Sequence, residues 1–400
     1  MPRALIILCN RYAFDARSQR HAEALAERGY DTDVICLASP AVAKKHERVN
    51  LIELNWRRYQ GSRRFNYLRT YSRFFSAAAL IALRRSAGKP YDVILASTMP
   101  DPIVFCALPA RLFGGRIVLD MRDTMPELYQ EKFGKGPTDP GTRMVFAQER
   151  FCARLADRVI AVHEPHRRRL EQAGIPKEKL DVVMNTPDPR IFRACSRRAT
   201  ASRRSEPFTL IYHGTVTHRL GLDVAIRAVS LLRDRIPCLR MMALGTGDEL
   251  PLVKRLAASL NLGDRITFPD PAPVEKLPEI FAQADLGIVP NRATVATQLM
   301  LPVKLLEYAM SEIPVVAPRL NTIRYYFDDD AVRYFTPGDP VDLSNAIEEL
   351  YRDPARRADQ ARRAAEVAAR LSWTSEKEQF NRIIDSVTGL RFAESSPLAQ

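Results

Sequence analysis

Short runs rich in isoleucine, valine and leucine alternate with amphipathic helical stretches along this chain, and no other feature constrains its fold as much. The alternation predicts parallel sheets whose strands are joined by crossover helices. In the first half we expect strands at residues 4–8, 32–37, 93–96, 116–119 and 158–162, each followed by a helix, the first of which covers 16–26. In the second half we expect strands at 208–212, 238–244, 265–268, 284–289 and 314–317 and helices at 222–234, 250–260, 303–311, 340–352 and 354–371.

The two sets of strands predict two domains, which suits a length of 400 residues because one hydrophobic core rarely serves so many. A first Rossmann-like domain is expected over residues 1–187 and a second over 208–375. Residues 188–207 are rich in proline, serine and arginine without a hydrophobic period, and predict a linker. Residues 376–400 predict a C-terminal helix that crosses back to the first domain, then a flexible tail. The expected fold class is therefore α/β, with two doubly wound domains facing each other across a ligand cleft.

The ends and the cysteines of the chain indicate its compartment. Its first apolar run is too short for a secretory signal, and no stretch of about 18 apolar residues predicts a membrane-spanning helix. The six cysteines include no Cys-x-x-Cys pair, which predicts reduced thiols and no zinc site. We therefore expect a cytoplasmic protein, whose only contact with the plasma membrane would be peripheral and on its inner face.

A formal charge of +13 predicts an acidic partner, and the region from Arg57 to Arg85 concentrates that charge. No acidic residue lies between Trp56 and Pro90, where basic and aromatic residues interleave: Arg57, Arg58, Arg63, Arg64, Arg69, Arg73, Arg84, Arg85 and Lys89 with Tyr59, Phe65, Tyr67, Tyr71, Phe74 and Phe75. This composition is typical of an interfacial helix on an anionic membrane. The alternative is a solvated basic face whose aromatic side chains pack inward. Nucleic acid is not expected as a partner, because no nucleic-acid-binding motif accompanies the charge.

Five segments of the second half occur in a characteristic order: IYHGTVTHRLGLDVAIRAVSLL, MMALGTGDELPLVKRLAASLNLGDRITF, ADLGIVPNR, LPVKLLEYAMSEIPVVA and FTPGDPVDLSNAIEELYRDPARR. In the first half stand FDARSQRHAEALAERGYDTDVICL and VVMNTPDPRIF. Together they resemble the family 4 glycosyltransferases of the bacterial polysaccharide and glycolipid type, most clearly over residues 208–385. The resemblance implies a GT-B fold in which the first domain binds the acceptor and the second binds a nucleotide sugar.

Three charged residues of the second half are the first candidates for donor binding. The resemblance assigns Glu307, in PVKLLEYAM, to the ribose hydroxyls, because an ionised carboxylate accepts two hydrogen bonds at once. Lys304 and Arg219 are expected to meet the diphosphate, whose charge grows as it leaves. Alternatively, Glu307 is a helix-start residue favoured by the helix dipole, and Lys304 is an ordinary surface lysine.

Glycines and one histidine complete the expected donor site. Gly214, Gly245 and Gly247 would allow the backbone to approach the phosphates or the sugar. The same glycines would also serve as plain turn residues after strands. His213, at the end of a strand, is the best placed of the six histidines for the cleft.

The chain departs from the family pattern at several positions. Leu299 stands where many members have a glutamate that contacts the donor sugar, and Thr215 and Leu220 stand where many have arginine and lysine. Arg122 occupies the segment in which members often have a histidine facing the reacting sugar. A catalytic role for Arg122 near that sugar is therefore expected.

Further polar residues follow strands of the first domain. Asp15 and Arg17 come after the first strand and would face the cleft to help bind the donor, although Asp15 also suits a helix cap. Around Arg122 lie Asp120, Asp123 and Glu127, either as an acceptor site or as a salt-bridge network in a loop. We expect no metal, since the adjacent Asp328, Asp329 and Asp330 suit an exposed turn.

The resemblance implies a retaining transfer from a nucleotide sugar, expected to be a UDP- or GDP-sugar, without a cofactor. The acceptor would be a hydroxyl of a lipid-linked saccharide in cell-surface glycan synthesis. In that scheme the protein stabilises the leaving phosphates and orients the sugar. Two alternatives belong to other classes, namely a catalytically silent partner that binds nucleotide sugars and a GT-B-like nucleotide-sugar epimerase.

Overall fold

A computed structural model describes residues 1–40, 45–56, 64–193 and 207–390, with the side chains of residues 64–68 left out. The chain divides into two compact units: unit 1 contains Met1–Asn185 and Glu376–Gln400, and unit 2 contains Thr186–Ser375. Residues 188–193, which the sequence analysis assigned to the linker, therefore group with unit 2. The rest of the expected linker before residue 207, and the expected tail from residue 391, lie outside the described residues.

Unit 1 is built on a seven-stranded sheet in the order β3-β2-β1-β4-β5-β6-β7, and every pairing in it is parallel. Its strands are β1 (Arg3–Arg11), β2 (Asp31–Leu37), β3 (Val49–Leu54), β4 (Val93–Ser97), β5 (Arg116–Met121), β6 (Arg158–Ala161) and β7 (Leu180–Val182). Its helices are α1 (Ala16–Glu27), α2 (Arg64–Gly88), α3 (Leu108–Arg111), α4 (Met125–Phe133), α5 (Pro140–Leu155) and α6 (Glu164–Gln172), with 3-10 helices at Tyr12–Phe14, Asp101–Cys106 and Lys177–Lys179.

Unit 2 repeats the plan with a six-stranded parallel sheet in the order β10-β9-β8-β11-β12-β13. Its strands are β8 (Phe208–His213), β9 (Leu239–Leu244), β10 (Ile266–Thr267), β11 (Leu286–Ile288), β12 (Val315–Pro318) and β13 (Arg333–Phe335). Its helices are α7 (Leu222–Leu231), α8 (Leu250–Ser259), α9 (Leu277–Phe281), α10 (Val295–Gln298), α11 (Val303–Met310), α12 (Asn321–Tyr326), α13 (Pro340–Arg352) and α14 (Pro354–Arg370), with 3-10 helices at His218–Leu220 and Val274–Lys276. The last helix, α15 (Trp373–Thr388), groups with unit 1 from Glu376 onward.

Apolar runs become central strands because both faces of a parallel sheet are covered by helices. In β1, Leu5 and Ile7 pack into one core cluster, and the intervening Ile6 is equally buried. Aspartates fix where several helices begin: the Asp15 carboxylate accepts from the Ser18 amide at 2.9 Å at the start of α1, and Asp139 caps α5 in the same way. Such caps satisfy amide groups that have no partner within the helix.

The α/β fold class with two doubly wound sheets is confirmed. Two strands, β3 and β13, were not anticipated from the sequence. β3, β7 and β13 are each the outermost strand of a sheet. Such strands are short or only partly buried, and their sequences therefore lack a long apolar run.

Candidate active site

The carboxyl edge of the second sheet holds the candidate donor site. β8 lies between β9 and β11, so the order of strands reverses at this point. Ligands of open parallel sheets bind beyond the carboxyl ends of the strands at such a switch point. His213 is the last residue of β8, and Gly214 begins the loop that follows it.

Glu307 and His213 are joined in a hydrogen-bonded chain that continues to Tyr308. Glu307 Oε2 lies 2.6 Å from His213 Nε2, and His213 Nδ1 lies 2.8 Å from the Tyr308 hydroxyl. That hydroxyl also lies within donating distance, 3.2 Å, of the Ile211 carbonyl oxygen. These hydrogen bonds fix the orientation of the Glu307 carboxylate through one of its two oxygens. Within the described residues, the other oxygen, Oε1, has no hydrogen bond and is available to a ligand.

Lys304 lies beside the same strand end. Its Nζ is buried, has no hydrogen-bond partner among the described residues, and lies 3.8 Å from the centroid of the Tyr212 ring. A Cβ placed on Gly214 would be 3.5 Å from this nitrogen. Burial lowers the pKa of Lys304 to about 7, although the charge of Glu307 opposes the change. An unpaired buried ammonium is unfavourable, so this amine is poised to become charged when an anion binds next to it.

The glycines at this edge are explained first by contacts between loops. A Cβ on Gly245 would lie 1.9 Å from the Gly214 carbonyl oxygen, and one on Gly247 would lie 2.0 Å from that of Val216. Gly214 itself has a φ of +111°, a conformation that side chains disfavour. The loops after β8 and β9 therefore touch through backbone atoms and form one surface next to Lys304.

Arg219 sits in the 3-10 helix His218–Leu220, and its surroundings contain a residue that the sequence analysis missed. The Arg292 amide donates to the Arg219 carbonyl oxygen at 2.9 Å, and the Arg292 guanidinium pairs with Asp223 at 2.6 and 2.7 Å. A Cβ on Gly221 would lie 2.1 Å from the Pro290 carbonyl oxygen. Arg292 and Gly221 thus tie the segment that carries Arg219 to the loop after β11. The sequence shows neither contact, because the bidentate pairing of Arg292 and the close backbone approach at Gly221 both depend on the folded geometry.

In unit 1, the structure brings Asp15, Arg17 and Arg122 together in a network of ion pairs with Asp120. The Arg122 guanidinium donates to both Asp15 oxygens at 2.7 and 2.8 Å, to Asp120 at 2.9 Å and to the Ser18 hydroxyl at 2.7 Å. Arg17 donates to Asp120 at 2.7 Å and to the Val183 carbonyl oxygen at 2.8 Å. Asp120 and Arg17 are buried.

The electrostatics of this network are those of fixed charges. Burial opposes ionisation of Asp120, but the Arg17 and Arg122 guanidinium groups outweigh it and hold its pKa below its usual range. Burial, aided by Arg17, holds the pKa of His21 well below its usual value. The arrangement of Asp120 and Arg122 matches the salt-bridge alternative given for them. Each nitrogen of the Arg122 guanidinium already donates to a residue of unit 1, and the catalytic role expected of Arg122 stays a prediction.

A second buried polar cluster in unit 1 includes Glu127 and three residues that the sequence analysis did not single out. Arg169 donates to both Glu127 oxygens at 2.8 Å and also pairs with Glu149. Burial raises the pKa of Glu149 to about 7, partly offset by Arg169. Burial also raises the pKa of Asp101 well above its usual range, and neither of its carboxyl oxygens has a hydrogen-bond partner among the described residues. The sequence signal was weak, since these residues lie on four separate elements.

The basic region from Arg57 to Arg85 is described in part. Arg57, Arg58, Tyr59 and Arg63 lie outside the described residues, as do the side chains of Arg64, Phe65 and Tyr67. Along α2, Phe74 is buried, and Tyr71 and Phe75 pack against the same core. The aromatic side chains that can be followed therefore point inward, as in the alternative prediction, while Arg69, Arg73, Arg84 and Arg85 are exposed.

The described residues also bear on metal binding and on membrane-spanning segments. No group of three or more histidine, cysteine, aspartate or glutamate side chains there could hold a metal ion. Asp329 and Asp330 pair instead with Arg319 and Arg363. Within the same residues, none of the helices combines the length and apolar character needed to cross a bilayer.

Two Rossmann-like units, the second with a polar site at its switch strand, form the architecture of the GT-B fold. Solved structures share this architecture. Sucrose-phosphate synthase from Thermosynechococcus elongatus superposes with a TM-score of 0.77 at 17% identity, covering 97% of this chain and 100% of that one. Anabaena HepE, solved in complex with UDP-glucose, superposes with a TM-score of 0.71 at 16% identity, covering 96% and 100%.

Sequence comparisons identify the family. Residues 15–186 match the model of the glycosyl transferase 4-like domain, and residues 207–353 match that of the glycosyl transferases group 1. A D-inositol 3-phosphate glycosyltransferase of Nocardiopsis dassonvillei is 26% identical over 70% of this chain and 67% of its own length. A GDP-mannose-dependent alpha-(1-6)-phosphatidylinositol monomannoside mannosyltransferase of Mycolicibacterium smegmatis is 30% identical over 44% of this chain and 47% of its own length. The chain belongs to the family 4 glycosyltransferases, and it spans about half to two thirds of the length of these relatives.

Proposed function

We propose that the protein transfers a sugar from a UDP- or GDP-sugar to a saccharide hydroxyl, with retention of the anomeric configuration. The observation that carries the proposal is the presence of both an oriented carboxylate, Glu307, and a buried, unpaired amine, Lys304, at the switch strand of unit 2. One relative is named as GDP-mannose-dependent, and one structural neighbour was solved with UDP-glucose, which supports both nucleotides as candidates.

Each group has a distinct role in this proposal. Glu307 Oε1 would accept from a ribose hydroxyl while His213 holds Oε2 in place. Lys304 would meet the diphosphate next to Gly214, and Arg219 would be its second cation. Charge on the leaving diphosphate grows in the transition state, so fixed cations accelerate the reaction. The loops around Gly245 and Gly247 would shape the floor of this site.

The acceptor that we propose is a lipid-linked saccharide used in cell-surface glycan synthesis. Two relatives are named for inositol-containing acceptors, one a phosphate and one a phosphatidylinositol mannoside. Unit 1 would bind the acceptor at the inner face of the plasma membrane. The basic region from Arg57 to Arg85 would contribute attraction to anionic lipid.

The test is nucleotide release from a panel of UDP- and GDP-sugars, with and without saccharide acceptors. We expect release with one donor to rise when an acceptor is added, and to fall strongly in Glu307→Ala. Conversion of the donor without any acceptor would favour an epimerase instead. Donor binding without release under any condition would favour a silent binding partner.

A further inference from the structure

One face of unit 1 exposes an unusual number of large apolar side chains. Phe151 is 53% exposed, Met144 67% and Leu112 81%. Four more on neighbouring elements are also exposed: Leu80, Leu83, Phe105 and Phe113. Scattered single apolar residues are normal on protein surfaces, but a contiguous group marks a site of interaction.

These side chains form one surface because the elements that carry them are neighbours. Both α2 and α5 pack against the 3-10 helix Asp101–Cys106, and α3 packs against it as well. Buried residues of all four elements belong to one core cluster, so they cover the same part of the first sheet. Across the boundary, the rings of Phe105 and Phe151 lie 6.1 Å apart. We call this surface, made by α2, the 3-10 helix, α3 with the turn after it, and α5, the apolar face.

The charge of the apolar face has one sign. The only acidic residues of its elements are Asp101 and Glu149, and the side chains of both are buried. Its exposed cations include several arginines without an ion-pair partner among the described residues: Arg69, Arg84, Arg143, Arg150 and Arg154. The face therefore offers apolar side chains and positive charge with no exposed carboxylate in the part of it that the structure describes.

A pocket borders this surface between α5 and α6. It has a volume of about 450 Å3, and its charged lining residues are Arg143, Arg150, Arg169 and Glu127, the last of which is bound at both oxygens by Arg169. Phe146, Gln172 and Ala173 complete the lining. Arg169 is held by its carboxylate partners, whereas Arg143 and Arg150, one on each side of Phe146 along α5, are unpaired within the described residues. A phosphate group fits such a site, because arginine matches phosphate oxygens in charge and geometry.

We propose that the apolar face docks on an anionic phospholipid bilayer, with Met144, Phe151, Leu112 and Phe113 entering the headgroup region and Arg143 and Arg150 contacting lipid phosphate. A second copy of the chain would bring like charges together. An acidic protein would leave the apolar side chains facing carboxylates. An anionic bilayer suits both the positive charge and the apolar side chains, since its phosphate groups lie directly above an apolar layer.

The assignment differs from the sequence expectation in the residues involved. That expectation placed aromatic contacts in the region from Arg57 to Arg85, whose describable aromatic side chains pack inward. Here α5 and the turn after α3 supply the apolar contacts, and α2 supplies charge together with Leu80 and Leu83. A role for docking in bringing the enzyme to a lipid-linked acceptor rests on the proposed function. Docking itself can be measured without turnover.

The experiment is sedimentation of the full chain with vesicles of phosphatidylcholine alone or of phosphatidylcholine with phosphatidylglycerol. We expect binding to the anionic vesicles only. Arg143→Ser with Arg150→Ser should weaken it roughly 25-fold, since each basic residue near such a surface contributes about 1 kcal/mol. Met144→Ser with Phe151→Ser should weaken vesicle binding at least tenfold, because the variant loses apolar surface that the bilayer would bury. Both side chains are exposed, so the core of unit 1 is unchanged.

Matched controls separate docking from general loss of charge or apolar surface. Leu252→Ser with Arg255→Ser changes an exposed pair on α8 of unit 2 and should leave vesicle binding unchanged. As a direct reporter of insertion, Phe151→Trp should show a blue shift of its added fluorescence with anionic vesicles, whereas Leu252→Trp should not. Melting temperatures of all variants should match the wild type.

Absence of wild-type binding to anionic vesicles, or wild-type binding by both test variants, would overturn the proposal. Equal binding to neutral vesicles would overturn it too, as would a concentration-dependent dimer that the same variants disrupt. Donor-induced stabilisation, measured on the same variants without vesicles, should stay at the wild-type level. Loss of docking and failure of the proposed transferase function are therefore read from different measurements.

Discussion

The Asp120 network of unit 1 and the Lys304 site of unit 2 differ in how their charged groups are paired. In unit 1, Asp120 receives Arg17 and Arg122, and Arg122 also holds Asp15, so the buried charges neutralise one another. In unit 2, the Lys304 amine is buried without any hydrogen-bond partner among the described residues. A charge whose bonds are already made contributes to the fold, whereas one left unpaired in the interior is unfavourable until a ligand arrives.

This contrast assigns different consequences to mutation in the two units. Changes within the unit 1 network should act mainly on stability, because removal of one charged partner leaves the others buried without their counter-charge. Changes at Lys304 should act mainly on ligand binding. Each of the following predictions would break or sharpen that distinction.

The largest effect is expected for Asp120→Asn. It leaves Arg17 and Arg122 buried with too little negative charge, and loss of one partner of a buried ion pair typically costs about 3–5 kcal/mol. We expect the melting temperature to fall by roughly 10 °C. Glu366→Gln, which removes one partner of an exposed pair with Arg362, should leave the melting temperature unchanged. Similar behaviour of the two variants would contradict a structural role for the network.

Lys304→Met should produce the opposite pattern. Donor affinity should fall about 10- to 100-fold, the loss expected when a charged hydrogen-bond donor is removed. The free protein should be at least as stable as the wild type, because an unpaired buried amine is replaced by an apolar group of similar length. Calorimetric titration with the donor measures the first effect and thermal unfolding the second. Lys276→Met, at an exposed position in unit 2, is the matched control.

Donor affinity should depend on pH through Lys304. Its pKa of about 7 lies below the usual value, so the free protein holds this amine largely neutral above pH 7. A bound diphosphate favours the charged form, so binding takes up a proton and weakens as the pH rises from about 7 to 9, by at most about tenfold per unit. Titrations in buffers of different ionisation enthalpy measure the uptake. An unchanged pH profile in Lys304→Met would show that another group is responsible.

His213→Ala should have a smaller effect. It removes the hydrogen bond that orients Glu307, and one such bond contributes about 1 kcal/mol, or about fivefold in donor affinity. The loss should appear for complete nucleotides and be much weaker for inorganic diphosphate, which has no ribose. Equal losses for both ligands would indicate general disruption of the site.

An effect confined to the pH dependence of stability is expected for Glu149→Gln. Because the pKa of Glu149 is raised to about 7, the folded protein binds more protons than the unfolded chain between about pH 4.5 and 7. This contribution to stability is complete below that window and is lost as the pH rises through 7. Melting temperatures measured from pH 5 to 8 should therefore vary less in Glu149→Gln than in the wild type. A steeper dependence in the variant would contradict the assignment.

The sequence predicted the fold well because apolar runs and helix caps are local signals. Strands such as β1 and β8 and the helix α13 lie close to their expected positions. The outermost strands β3 and β13 escaped because a strand at the edge of a sheet needs little apolar sequence.

Site prediction was less complete, for a physical reason. Residue type and motif identify Glu307, Lys304, Arg219 and His213 as candidates, because a motif contains the chemical groups that a ligand would need. Whether a charge is already paired depends on contacts between distant segments, such as Arg122 with Asp15. For the same reason, the sequence could not show that Phe74 turns inward while Phe151 stays exposed.

The most direct test of the donor site is thermal unfolding of the purified protein with a panel of UDP-, GDP-, TDP- and ADP-sugars, because a ligand that binds the native state raises its melting temperature. The Glu307→Ala variant is measured alongside. We predict stabilisation of the wild type by one nucleotide family, reaching several degrees at saturating donor, and little or none in the well-folded variant. Equal stabilisation of both proteins, or none of the wild type by any donor, would contradict the assignment of Glu307 and Lys304 to donor binding.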